Sequence, residues 1–205
     1  MRKLKLQMQI TVDGFVAGPN GELDWMNSNM EMEDDKLLQY INFLINSSDT
    51  ILMGRKMTDE FVNYWTNVLE DPKNPWYAFA KKMIDTPKVV FTRTLDESRW
   101  PNTVLAKGDI VEEVNKLKNR PGKDLLVYGG AGFVSSLIKH DLIDEYHFFV
   151  NPVAISKGLT IFSELPHYFK LKQTDATLYE CGITVHDYLP DTATNLLSRK
   201  AGSAA

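Results

Sequence analysis

Residues 124–150 of this 205-residue chain constrain its fold more than any other stretch. The apolar run at 124–128 reads as a strand, Gly129-Gly130-Ala131-Gly132 as a turn, 133–140 as a helix and 145–150 as a returning strand. A strand, a helix and a second strand in that succession imply parallel pairing through a right-handed crossover.

The rest of the chain is consistent with that unit. Leu4, Leu6, Met8 and Ile10 alternate with Lys5, Gln7 and Gln9, which predicts a first strand. Asp13-Gly14 and Gly18-Pro19-Asn20-Gly21 form a turn-rich loop ending near Trp25. Glu31, Glu33, Asp34 and Asp35 precede Leu37, Leu38, Ile41, Leu44 and Ile45, the pattern of an amphipathic helix with negative charge at its N-terminus. Further strands are expected at 49–53, 88–92 and 103–106, and helices at 76–84 and 109–118. Segments 168–178 and 181–188 predict an antiparallel C-terminal hairpin. The expected architecture is a single three-layer α/β domain over residues 1–189, with a mixed, mostly parallel sheet flanked by helices. Thr, Ser, Ala and Gly dominate from Asp191 onward, so residues 190–205 are expected to form a flexible tail.

Composition narrows the function classes. A net charge of −4 argues against a nucleic-acid surface, although local cations can still hold an anionic cofactor. The single Cys181 excludes an intrachain disulfide and a multi-cysteine metal site. His140, His147, His167 and His186 lack ligand spacing, so no metal is expected. Met1-Arg2-Lys3-Leu4-Lys5 leads into alternation rather than an apolar core, and no run approaches a membrane span. A cytoplasmic protein with no membrane partner is expected.

Three strand ends carry residues suited to phosphate. Gly129-Gly130-Ala131-Gly132 lies between strand and helix, where backbone N–H groups and the positive helix end attract anions. The spacing is not the G-x-G-x-x-G fingerprint, and a tight turn with close helix–sheet packing explains the glycines equally well. Gly54-Arg55-Lys56-Met57-Thr58 follows the second strand, with two cations and a hydroxyl at a helix start. Thr92-Arg93-Thr94 ends the third strand, and an arginine there suits a 2′-phosphate. A lone arginine or an Arg-Lys pair on a surface turn would mean little. The coincidence at three strand ends is the informative observation.

Taken in order, Thr11-Val12-Asp13-Gly14, Gly21-Glu22-Leu23-Asp24-Trp25, Gly54-Arg55-Lys56-Met57-Thr58, Thr92-Arg93 and Gly129-Gly130-Ala131-Gly132 resemble the dihydrofolate reductase superfold. More narrowly, with Asn151-Pro152-Val153, Gly158-Leu159 and Phe162, the chain is similar to the reductase domain of riboflavin-biosynthesis deaminase-reductases and to stand-alone bacterial relatives. The likeness spans roughly residues 3–189.

That resemblance implies NADPH as cofactor. Gly54, Arg55, Lys56 and Thr58 would hold phosphates, Thr92 and Arg93 would meet the adenosine 2′-phosphate, and Gly129, Gly130, Ala131 and Gly132 would pass the pyrophosphate. The paired glycines of this superfold are often joined by a cis peptide. The loop from Val12 to Trp25 would be a flap over nicotinamide and substrate. It implies reduction of a small heterocycle, most like 5-amino-6-(5-phosphoribosylamino)uracil, by a homodimer.

Asp24 stands where folate-reducing enzymes usually place proline, which argues against dihydrofolate as substrate. The zinc-bearing deaminase portion has no counterpart, because one cysteine cannot supply its ligands. Asp13 and Glu31 are the candidates for substrate contact or proton transfer. Asp13 serves equally as an Asp-Gly turn residue, and Glu31 as helix N-terminal charge. Trp25, Tyr128, Asn151 and Pro152 complete the expected substrate surround. The alternative readings are an NADP(H)-binding module without turnover and a dihydrofolate or pterin reductase.

Overall fold

The computed structural model describes residues 1–26, 34–192 and 195. Strand β1 (Leu4–Thr11) runs through the interior of an eight-stranded sheet. The chain continues through α1 (Asp35–Asn46), β2 (Ser48–Gly54), α2 (Arg55–Val68), α3 (Tyr77–Asp85), β3 (Lys88–Phe91) and β4 (Thr103–Ala106). It returns through α4 (Ile110–Lys118), β5 (Asp124–Gly129), α5 (Ala131–Lys139) and β6 (Glu145–Asn151) to the hairpin β7 (Leu171–Leu178) and β8 (Thr184–Pro190). The spatial order is β4-β3-β2-β5-β1-β6-β8-β7. Pairing is parallel from β4 to β6, and β8 is antiparallel to both its neighbours.

Chain direction explains the layers. From β1 the chain steps outward to β2 and β3, then returns to β5 and crosses β1 to reach β6. Right-handed crossovers taken in opposite directions must lie on opposite faces of a sheet. Accordingly Leu37, Ile41, Phe61, Trp65 and Phe79 of α1–α3 pack with Ile51, Met53 and Leu126 on one face. Val114, Leu117, Val134 and Leu137 of α4 and α5 pack with Leu4, Leu6, Leu125 and Val127 on the other. The helix after β5 therefore leaves toward the opposite face from the helices after its neighbours β1 and β2. Connections part at such a point, and a crevice opens at the carboxyl ends of the strands.

Two details shape that crevice. Leu6 pairs with Val127, so Gly129 at the end of β5 is level with Met8, while β1 runs on to Thr11 beside Asn151. Three further residues of strand make a ledge about 10 Å tall. The alternation in β1 is the mark of a half-buried strand, yet every residue of β1 except Gln9 is buried, because helices cover both faces.

The other differences are local. Helix α5 begins at Ala131, two residues before its expected start, so the turn is Gly129-Gly130 alone. The peptide bonds of the described residues are all trans, and Gly129 makes the turn with a φ of +131°. Of the expected tail, Asn195 is buried and exchanges hydrogen bonds with both backbone groups of Lys170. Residues 193, 194 and 196–205 lie outside the described residues. No helix among the described residues is long and apolar enough to cross a membrane.

Candidate active site

Helix N-termini differ sharply around the molecule. Asp34 caps α1 by accepting from the Lys36 and Leu37 N–H groups, and Asp109 caps α4 by accepting from those of Val111 and Glu112. Helices α2 and α5 begin at Gly54 and Gly130 with no side-chain cap and no acid in the first turn. Both follow strands that pair side by side, Met53 opposite Gly129. Two sets of free N–H groups and two positive dipole ends thus meet at one place on the carboxyl edge, a ready anion cradle. Gly54 is required by close approach: a Cβ there would lie 2.8 Å from Cβ of Phe133 on α5. A Cβ at Gly132 would meet nothing within 4 Å.

Local positive charge comes from Arg55, Lys56 and Arg93. Arg55 is half-buried and the other two are exposed, and none makes an ion pair among the described residues. Nearby basic groups are already engaged, Arg99 with Asp59 and Lys107 with Asp96.

The two threonines expected to touch phosphate do something else. Thr58 is fully buried, and its hydroxyl donates to the Gly54 carbonyl one turn back at 3.1 Å, the usual back-bond of a helical threonine. Thr92 is also buried, and its Oγ1 accepts from the N–H groups of Thr94 and Leu95 at 3.2 Å. Its task is to shape the turn that leaves Arg93 exposed.

The loop after β1 is fastened to the loop after β6. Val12 N–H donates to the Val153 carbonyl at 3.0 Å, and Val16 and Ala17 exchange hydrogen bonds with Leu159. Between these contacts the Asp13 carboxylate accepts from Thr11 Oγ1 at 2.6 Å and from the N–H groups of Ile155 and Ser156 at 3.1 and 2.8 Å. The Thr11 hydroxyl, with both N–H groups, holds the Asp13 carboxyl below its ordinary range. These three hydrogen bonds make the Asp13 carboxylate a latch between the two loops. Asp13→Ala should speed amide hydrogen exchange at Ile155 and Ser156 while leaving the melting temperature nearly unchanged; unaltered exchange would remove the latch.

Trp25 lies beside that junction, lining a concavity of ≈390 Å³ with Gly18, Glu22, Ile155 and Lys157. Among the described residues its buried indole Nε1 has no hydrogen-bond partner. Pro152 is exposed and approaches Gly182 at the rim. Asn151 is 1% exposed and donates to Gln9 Oε1 and the Phe149 carbonyl, which makes it an internal strut rather than a direct substrate contact. Tyr128 packs on Phe61, and burial pushes its phenol above the ordinary range. Glu31 lies outside the described residues.

Sequence reasoning missed a polar cluster on the α1 face. His147 Nδ1 lies 2.8 Å from Asp187 Oδ1, and the Tyr40 hydroxyl donates to the same carboxylate at 2.7 Å. Glu145 faces His147 Nε2 at 3.8 Å and pairs with Lys3 and Lys5. Burial alone would lower the His147 pKa, but Asp187 and Glu145 outweigh it and raise it. His147, with help from Lys3 and Lys5, holds Glu145 down at about 2. The signal was available: polar residues at 5, 7 and 9 on a strand covered by helices need partners. Among the described residues no group of three or more acidic, histidine or cysteine side chains is placed to hold a metal.

Known proteins share this sequence pattern and fold. Residues 2–185 match the family model of the RibD C-terminal domain. The chain is similar to the uncharacterized protein YyaP of Bacillus subtilis (strain 168), at 35% identity over 185 residues, covering 89% of this chain and 92% of YyaP. Among solved structures it is similar to the diaminohydroxyphosphoribosylaminopyrimidine deaminase/5-amino-6-(5-phosphoribosylamino)uracil reductase of Thermotoga maritima, with a TM-score of 0.64 at 21% identity. That match covers 92% of this chain and 56% of the bacterial protein. Dihydrofolate reductase from Enterococcus faecalis, solved with NADP(H), shares the fold with a TM-score of 0.50 at 14% identity over 92% of this chain and 96% of the enzyme.

Proposed function

The chain belongs to the RibD C-terminal domain family, and from that premise we propose that it is an NADPH-dependent reductase of a small heterocyclic substrate, most like 5-amino-6-(5-phosphoribosylamino)uracil. One observation carries the reading: two uncapped helix N-termini meet at adjacent strand ends beside Arg55, Lys56 and Arg93, which have no acidic partners among the described residues.

A dinucleotide fits that arrangement. Gly54, Arg55, Lys56 and the backbone of Gly129, Gly130, Ala131 and Gly132 would hold the pyrophosphate, and Arg93 the 2′-phosphate. When bound, NADPH supplies a hydride from its dihydronicotinamide ring. The protein's share is to orient both partners and exclude water. The ledge of β1 and β6 forms one wall, and the loops clasped by Asp13 close over it. Trp25 and Pro152, one on each of those loops, border the substrate end.

NADPH oxidation against a panel of oxopyrimidines, pterins and quinones tests the reading. Turnover is expected with an oxopyrimidine. Tight NADPH binding with no turnover on any of the panel would leave a nucleotide-binding module. A steric test is independent of substrate. Gly132→Ala should fold normally, because the added Cβ meets nothing within 4 Å, yet weaken NADPH by about tenfold, roughly 1.4 kcal/mol. Unchanged affinity in a titration would place the cofactor elsewhere.

A further inference from the structure

Strands covered on both faces ordinarily carry apolar residues on both. On its α1 face β1 instead carries Lys5, Gln7 and Gln9. Lys5 is explained by Asp124, Glu145 and Ser47. No ion pair explains the two glutamines. Among the described residues Gln7 Oε1 is buried without a partner, and the buried Tyr128 hydroxyl, on the adjacent strand at the same level, has only the Gln7 amide beside it. Buried polar atoms in native proteins are nearly always satisfied, and each orphan costs about 1–3 kcal/mol. Gln9 stands one step higher. It is the first residue of this face beyond the end of β5, and the one residue of β1 that is not buried.

The orientation of the Gln9 amide follows from its neighbours. A backbone carbonyl can only accept, so the Asn151 atom 3.0 Å from the Phe149 carbonyl is its amide nitrogen. That nitrogen can only donate, so the Gln9 atom 2.7 Å from it is the oxygen. The Gln9 NH₂ is then the end without a partner among the described residues. Asn151 is 1% exposed and is held in the sheet by the Phe149 carbonyl, so this orientation is built in before any ligand arrives.

Resting on the reductase reading above, we propose that Gln9 determines substrate specificity by donating its amide N–H to a ring carbonyl, and that the site therefore takes an oxo heterocycle over its amino counterpart. Asn151 is the positioning residue that decides which end of the Gln9 amide faces the crevice. The polar base formed by Gln7 and Tyr128 extends the same wall inward.

A matched pair of probes tests this: 5-aminouracil carries oxo groups at positions 2 and 4, and 2,4,5-triaminopyrimidine carries amino groups there. Both are titrated calorimetrically into the whole protein with NADP⁺ present. The wild type should prefer 5-aminouracil by about tenfold, the worth of one hydrogen bond against an unpaired donor. Gln9→Glu, at a partly exposed position, should reverse the order, because a carboxylate accepts where the amide donates. Asn151→Ser should bring the ratio close to one, whereas simple structural damage would weaken both probes alike. An unchanged ratio in Gln9→Glu overturns the proposal. Binding of neither probe by a wild type that still binds NADPH overturns the substrate class and leaves the cofactor site standing. Loss of NADPH binding as well overturns the reading beneath it.

Discussion

Arg93→Ala is expected to weaken NADPH binding by about 10- to 100-fold while changing NADH binding by less than about twofold. The range corresponds to a charge-assisted hydrogen bond of roughly 1.5–3 kcal/mol. The assignment rests on the turn after β3. Thr92 accepts from the N–H groups of Thr94 and Leu95, and this local geometry leaves Arg93 exposed with no acidic partner among the described residues. The term should fall with salt, because an exposed guanidinium is screened within about 10 Å at 0.1 M ionic strength. Arg55→Ala is the control. Arg55 lies in the first turn of α2, where the pyrophosphate shared by both cofactors would bind, so NADPH and NADH should weaken alike. Fluorescence titration of the two variants with both cofactors checks the pair. Equal weakening by Arg93→Ala would remove the 2′-phosphate assignment.

The largest stability effect is expected at Asp187. Asp187→Ala should destabilise the protein by about 3 kcal/mol, the lower end of the range for breaking a buried ion pair, measured by urea denaturation. The His147 side chain is 10% exposed and that of Asp187 19%, and removing the carboxylate leaves the imidazole Nδ1 and the Tyr40 hydroxyl with only each other, 2.9 Å apart. Tyr40→Phe, which loses one hydrogen bond, should cost only about 1 kcal/mol. The cluster also sets a pH dependence. The His147 pKa is raised above its free value of 6.5. Its contribution is therefore complete below that value and drains away as pH rises through the folded one. The wild type should lose stability over that window and His147→Gln should not; parallel pH profiles would show that His147 is neutral in the fold.

Much of the fold was legible because adjacent segments carry strong periodicity and clear stops. The Gly129-Gly130 turn and the strands around it predicted the parallel core, and the Asp34 and Asp109 caps lie at the starts of α1 and α4. Order across the sheet was not legible, since insertion of β5 between β1 and β2 depends on contacts distant in sequence. The proposed cofactor edge rests on glycines and cations at strand ends, signals that are local. A threonine hydroxyl also satisfies backbone groups, as those of Thr58 and Thr92 do. Asp13 follows the carboxyl end of β1, but its partners Ile155 and Ser156 lie far along the chain. Gln9 and the His147 cluster were not legible because alternation in β1 predicts a strand but not that helices cover both of its faces.

The central claim is that this carboxyl edge is an NADPH site selected by the 2′-phosphate. Competition between two fragments tests it most directly: adenosine 2′,5′-bisphosphate and adenosine 5′-monophosphate differ only in the 2′-phosphate. Each is titrated against NADPH bound to the wild-type protein, with displacement followed by nucleotide fluorescence. The bisphosphate should displace NADPH at concentrations about tenfold lower or better, and Arg93→Ala should erase that advantage. Equal displacement by the two fragments, or no NADPH binding at all, would contradict the account.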